Sequence, residues 1–176
     1  MTDLTRAKKN VLVPPLNFAL VAEGVYRSGH PLKINYKFLQ NLHLKAIIYL
    51  GDRSEEENKE YIEWANSNGI KFFYFYCPSV KEPFVENDPE ANTEALKLLL
   101  DTRNFPILIH SNKGKHRVGV LVGAMRKMLQ GWSLASIFDE YSRFASGKGD
   151  ADVEFIELFN PTLTYDPKYA PEWLRS

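Results

Sequence analysis

The chain has 176 residues, 44% of them apolar, enough for one ordinary globular domain whose core needs neither disulfide nor metal. Lys plus Arg and Asp plus Glu number 22 each, so a broad basic footprint for nucleic acid or an anionic membrane is not expected, and any cationic site must be local. Cys77 is the single cysteine, which excludes an internal disulfide framework and a cysteine-based zinc site and fits a reducing compartment.

Residues 1–10 contain no apolar signal core and read as a flexible arm, with residues 11–176 as a single domain. No run approaches the roughly 20 apolar residues of a membrane span. The expected location is cytoplasmic, with the nucleus possible. Past Pro14-Pro15, a short strand is expected near Val25-Tyr26-Arg27, and Asn35 is placed to cap a short helix. The apolar run at residues 46–50 has strand length. Ser54 and Glu57 form a capping-box pair, and Gly69 stands where a helix would stop, which predicts a helix over residues 55–67. An aromatic strand follows at residues 71–76.

A loop containing proline and charges leads to Asp88-Pro89, a helix start with proline at the first helical position. Residues 105–110 read as a strand, and residues 118–130 as a helix apolar on nearly every face and therefore buried. Ser133 starts an amphipathic helix, and Asp150 or Asp152 a last one. Strands alternating with helices predict an α/β fold with a mainly parallel central sheet flanked by helices on both faces. Ligands in such sheets sit beyond the carboxyl ends of the strands.

At that edge stands His-Ser-Asn-Lys-Gly-Lys-His-Arg-Val-Gly, residues 110–119, a glycine-containing loop between a buried strand and a buried helix. Inward-pointing backbone amides, a helix N-terminus and the fork of Arg117 suit a phosphate group. The spacing is not the G-x-x-x-x-G-K-[ST] of nucleotide-binding loops. Lys113, Lys115 and His116, with Lys81 from a neighbouring loop, suggest several phosphates on one ligand.

The pattern of His110, a small residue, five loop residues, Arg117 and Gly119 resembles the H-C-x5-R signature of cysteine-dependent phosphatases. Within them it is most similar to the plant-and-fungal atypical dual-specificity phosphatases, some of which hydrolyse inositol pyrophosphates. Pro14-Pro15-Leu16-Asn17-Phe18, Tyr26-Arg27-Ser28-Gly29, Lys81-Glu82-Pro83-Phe84-Val85, Trp132-Ser133-Leu134 and Phe138-Asp139-Glu140-Tyr141 extend the likeness over most of the chain.

The resemblance implies the cysteine-phosphatase fold and a phosphocysteine intermediate, with no metal and no organic cofactor. It places the nucleophile at Ser111, the oxygen-gripping arginine at Arg117, and Asn112, Lys113, Gly114, Lys115, His116 and Lys81 around the phosphates. His110 supports the loop, and Glu82 is the carboxylate chosen as general acid. The implied partner is a phosphorylated small molecule, an inositol pyrophosphate being favoured. A pyrophosphate leaving group departs as a stable anion and needs less protonation than an alkoxide.

Two departures stand out. A serine hydroxyl has a far higher pKa than a thiol, so Ser111 leaves binding intact while removing turnover. This reads as a Cys-to-Ser substrate-trapping form, the alternative being a naturally inactive phosphate-binding module. Val118 also replaces a hydroxyl residue that relatives commonly use to hydrolyse the intermediate. A protein tyrosine phosphatase and a rhodanese-like sulfur carrier are the remaining rivals.

Overall fold

The computed structural model describes residues 11–79, 86–147 and 149–175. Five strands form one sheet: β1 (Ala19–Ala22), β2 (Val25–Ser28), β3 (Ala46–Gly51), β4 (Lys71–Tyr76) and β5 (Ile107–His110), in the order β1-β2-β5-β3-β4. All neighbours are parallel except β1 and β2, which form an antiparallel hairpin. That hairpin is not evident in the sequence, where Ala19–Ala22 is too short and too mixed to show alternation. Gly24, at φ +82°, supplies the turn conformation that closes it.

Strand β5 occupies the centre because Ile-Leu-Ile-His is buried at all four positions and needs cover on both faces. Its last residue, His110, pairs with Ser28 on one side and Tyr49 on the other, so the following loop emerges at the middle of the carboxyl edge.

Side chains alternate across the sheet with the period of two that strands impose. Ile47 and Leu108 face Leu39 of α1 (Tyr36–Gln40) and Tyr61 and Ala65 of α2 (Lys59–Ser67). Ile48, Ile107 and Ile109 face the opposite layer, made by α3 (Pro89–Leu99) and α4 (Arg117–Met128). The outer side of α4 is covered by α5 (Leu134–Ala145) and α6 (Asp150–Leu158), with Ile137, Tyr141 and Ile156 against Val120.

Helix α4 is therefore enclosed between sheet and helices, as its all-round apolar character predicts. Val118, Leu121, Val122 and Met125 are each at most 1% exposed. Burying four such side chains contributes about 6–12 kcal/mol before entropy is counted. The core, rather than helix propensity, thus pins the turn that carries Arg117.

Two caps behave differently from the sequence expectation. Ser54 and Glu57 do close a reciprocal box, with Glu57 N–H donating to Ser54 Oγ at 3.2 Å and Ser54 N–H to Glu57 Oε1 at 3.3 Å. The box holds a turn, and the helix proper begins only at Lys59. Asn35 precedes α1 without capping it; its side chain accepts from Leu32 N–H and donates to the carbonyls of Val13 and Pro14. Tying down the entry segment outcompetes the local cap. Asp88, by contrast, caps α3 as expected, accepting from Glu90 and Ala91.

Candidate active site

The loop from Ser111 to His116 leaves β5 and folds back onto the end of β2. Gly114 makes this approach possible. Its φ is +76°, and a Cβ there would lie 2.5 Å from Gly29 N and 2.8 Å from the Ser28 carbonyl carbon. The turn directs the Gly114 N–H inward, where it donates to Ser111 Oγ at 3.0 Å. A thiolate at this position would accept the same donor. Outside the turn, Asn17 Nδ2 donates to Lys113 O at 2.8 Å and His30 N–H to Asn112 O at 3.0 Å.

Beneath the loop lies an aromatic and imidazole layer. His110 is fully buried, and one ring nitrogen, Nδ1, faces the Ser111 carbonyl at 3.0 Å. A carbonyl only accepts, so Nδ1 carries the proton. Burial, with His30 nearby, pushes the imidazole well below its usual pKa and keeps it neutral, so Nε2 accepts from the Tyr61 hydroxyl at 3.0 Å. This geometry fits loop support. Tyr49 stacks on His110 with ring centroids 5.0 Å apart.

From Tyr49 a polar chain reaches Arg117. The Tyr49 hydroxyl donates to Asn112 Oδ1 at 2.6 Å, Asn112 Nδ2 donates to Asp52 Oδ1 at 2.9 Å, and Asp52 Oδ1 lies 3.4 Å from Arg117 Nη1. Partial burial raises the Asp52 carboxyl, but the Asn112 amide and the Arg117 guanidinium outweigh it and hold the pKa below its usual value. Arg117 Nη1 also donates to Cys77 O at 2.9 Å. The guanidinium is thereby fixed across the carboxyl ends of β3 and β4, with its side chain 13% exposed.

Ser111, Lys113, His116 and Arg117 line one cavity of about 440 Å³, together with Ser79, Asn87, Gly149, Asp150, Ala151 and Asp152. Four of the residues expected from the sequence therefore meet there. Gly114 is buried in the turn. The Asn112 side chain is turned away to Tyr49 and Asp52, and Lys115, half-buried, does not line the cavity. Lys81 and Glu82 lie outside the described residues.

The carboxylates of Asp150 and Asp152 were missed by sequence reasoning, which read them only as helix-start residues. Asp152 is 5% exposed and accepts from Asn87 Nδ2 at 2.8 Å and from the Tyr141 hydroxyl. Burial, and then Asp152 itself, push the Tyr141 hydroxyl far above its usual pKa, so it stays protonated and gives that proton to Asp152. His116 Nδ1, 3.0 Å from the same hydroxyl oxygen, must then be the donor to it. Only the packing of α5 and α6 against α4 assembles this triad.

A larger cavity, about 640 Å³, adjoins this one between α3 and α6. Its walls include Glu86, Glu90, Glu154, Phe155 and Leu158, which disfavour an anion. Chemistry, not volume, selects the smaller cavity. Among the described residues no group of three or more His, Cys, Asp or Glu is arranged to hold a metal.

A parallel-centred sheet whose middle strand feeds a glycine turn and an arginine-opened helix defines a phosphatase scaffold of the cysteine-dependent type. The profile of the tyrosine phosphatase family matches residues 12–176, and the chain belongs to that family. It is 51% identical over 156 residues to inositol diphosphatase DSP4 of Arabidopsis thaliana, covering 88% of this chain and 77% of that protein. It is 46% identical to the tyrosine-protein phosphatase-like protein OCA2 of Saccharomyces cerevisiae, over 86% of this chain and 77% of that one. Among solved structures, the core catalytic domain of the PP-IP phosphatase SIW14 from S. cerevisiae, in complex with citrate, superposes with a TM-score of 0.76. The two are 39% identical, with 85% of this chain and 89% of that one covered.

Proposed function

We propose that this chain is an inositol pyrophosphate phosphatase in a substrate-holding form, in which Ser111 occupies the nucleophile position and binds without turnover. The observation that carries the reading is the convergence of Ser111, Lys113, His116 and Arg117 on one cavity at the carboxyl edge of the sheet. Lys113, His116 and Arg117 around one turn suit a ligand bearing several phosphates. The inositol diphosphatase names of the relatives support the same substrate class.

With a thiol at position 111, the reaction would proceed in two displacements. The thiolate forms an S–P bond as the P–O bond of the anhydride breaks, the electron pair leaving on the inositol phosphate oxygen. Water then cleaves the S–P bond and releases orthophosphate. Arg117 holds the transferring group, while the Gly114 N–H stays directed at the nucleophile. Serine stops the first step because its hydroxyl stays protonated, and among the described residues no base contacts Oγ.

The test is Ser111→Cys, assayed for phosphate release from an inositol pyrophosphate and from a phosphotyrosyl peptide. Release from the inositol pyrophosphate, absent in the unaltered chain, is expected. No release from either would favour a silent phosphate-binding module, and preference for the peptide would favour a protein tyrosine phosphatase.

A further inference from the structure

Arg27, on β2, is 2% exposed, and its Nε has no hydrogen-bond partner among the described residues. Its Nη2 donates to Gly114 O at 3.3 Å, and its guanidinium carbon lies 3.7 Å over the Phe144 ring. A Cβ on Gly119, in the first turn of α4, would stand 3.8 Å from Nη2. The group therefore lies directly behind the phosphate loop, against both the turn and the start of the helix.

Its charge is poorly balanced. The carboxylate acting on it is Glu140, but Glu140 is already committed to Arg126 through bonds of 3.1 and 2.9 Å. Burial lowers the guanidinium pKa to about 10, assisted by the Arg126 charge, which still leaves it cationic near neutrality. A buried cation without its own carboxylate is costly to a fold unless something else supplies the negative charge.

We infer that Arg27 is a positioning residue of the phosphate site, a buried cation whose counter-ion is the negative charge bound in the loop. It acts through Gly114: the guanidinium donates to the carbonyl of the peptide that follows the Gly114 Cα, while the N–H of the peptide that precedes it points at position 111. Its field adds to that of Arg117 and the helix N-terminus, favouring any anion in the cradle, whether bound phosphate or an ionised nucleophile. This rests on the phosphate-site reading above.

The test compares Ser111→Cys with the same protein carrying Arg27→Gln, Arg27→Met or Arg27→Lys, following ionisation of the introduced thiol by its absorbance against pH. Cys77 does not interfere below about pH 9, because burial, with Asp88 nearby, pushes its thiol up to about 11. Both neutral variants are expected to raise the introduced thiol's pKa by about one unit, a roughly tenfold fall in its ionisation constant, with lysine largely restoring it. A merely structural arginine would not show this dependence on charge. An unchanged thiol pKa in a folded Arg27→Gln protein, or collapse of both neutral variants, would overturn the inference.

Binding of inorganic phosphate to the unaltered chain, measured by calorimetry, tests the underlying reading separately. If it binds but Arg27→Gln binds equally well, Arg27 alone is disproved. If it does not bind while the thiol pKa still shifts, the site reading fails and the Arg27 field stands.

Discussion

The hydroxyl of Tyr49 and the amide oxygen of Asn112, 63 residues apart in sequence, meet at 2.6 Å and connect the central sheet to the phosphate loop. Tyr49→Phe removes this bond and leaves Asn112 Oδ1 without that donor, a loss of about 0.5–1.5 kcal/mol. The fold should persist, since the ring still stacks on His110. Affinity for inorganic phosphate, read by calorimetry, should fall roughly threefold to tenfold. Unaltered affinity would show that the chain through Asn112 and Asp52 does not set the loop.

Gly114→Ala should be far more damaging at the site than its single methyl suggests. The residue has φ +76° and no room toward Gly29, so the turn must shift, with a cost of about 1–3 kcal/mol for the backbone conformation alone. Phosphate binding should be abolished while far-ultraviolet circular dichroism stays native, because the sheet does not depend on the turn. A binding-competent alanine variant would contradict the tight docking of loop on β2.

Acid should weaken the fold through the imidazoles beneath the loop. Burial depresses His110 strongly and His30 to a lesser extent below the ordinary value of 6.5. The unfolded chain therefore binds protons first as pH falls. Their contribution is fully present above about pH 6.5 and declines below it, each group adding a slope of up to about 1.4 kcal/mol per pH unit. Urea unfolding at pH 7.5, 6.5 and 5.5 should show stability dropping over the last interval. A flat profile there would mean that the rings charge without penalty.

Tyr141→Phe separates the triad on the helical side of the cavity. It removes the hydroxyl donor from the buried Asp152 carboxylate, which costs about 1.5–3 kcal/mol for a charged acceptor. It also removes the oxygen that orients His116. A lower melting temperature together with weaker binding of a polyphosphorylated inositol is expected. In the double variant with Asp152→Ala the stability losses should not add, because each change removes one partner of the same bond. Additive losses would dissociate the two residues.

Much of the scaffold is legible in the chain because local chemistry and the final structure agree there. Asp88-Pro89, Ser133 and Gly69 mark helix ends by satisfying orphan amides or accepting positive φ, and these effects need nothing beyond a few neighbouring residues. The strand Ile107–His110 and helix Arg117–Met128 appear as apolar runs because both are buried on all sides. The β1–β2 hairpin and the true start of α2 do not appear, since a four-residue edge strand and a capped turn depend on what packs beside them.

The residues of the loop are likewise written in order, so Lys113, His116 and Arg117 are read from the chain and Ser111 from its resemblance to a signature position, and their convergence follows once one turn is placed. What supports and borders them comes from distant segments. Arg27, Tyr49, Asp52, Tyr141 and Asp152 carry no local pattern, because a hydrogen bond between residues 49 and 112 leaves no periodicity in sequence. The chain by itself determined that a glycine-containing loop joins a buried strand to a buried helix; only tertiary packing decided which carboxylates, hydroxyls and buried cations surround it, since those contacts exist only when sheet and helices close on one another.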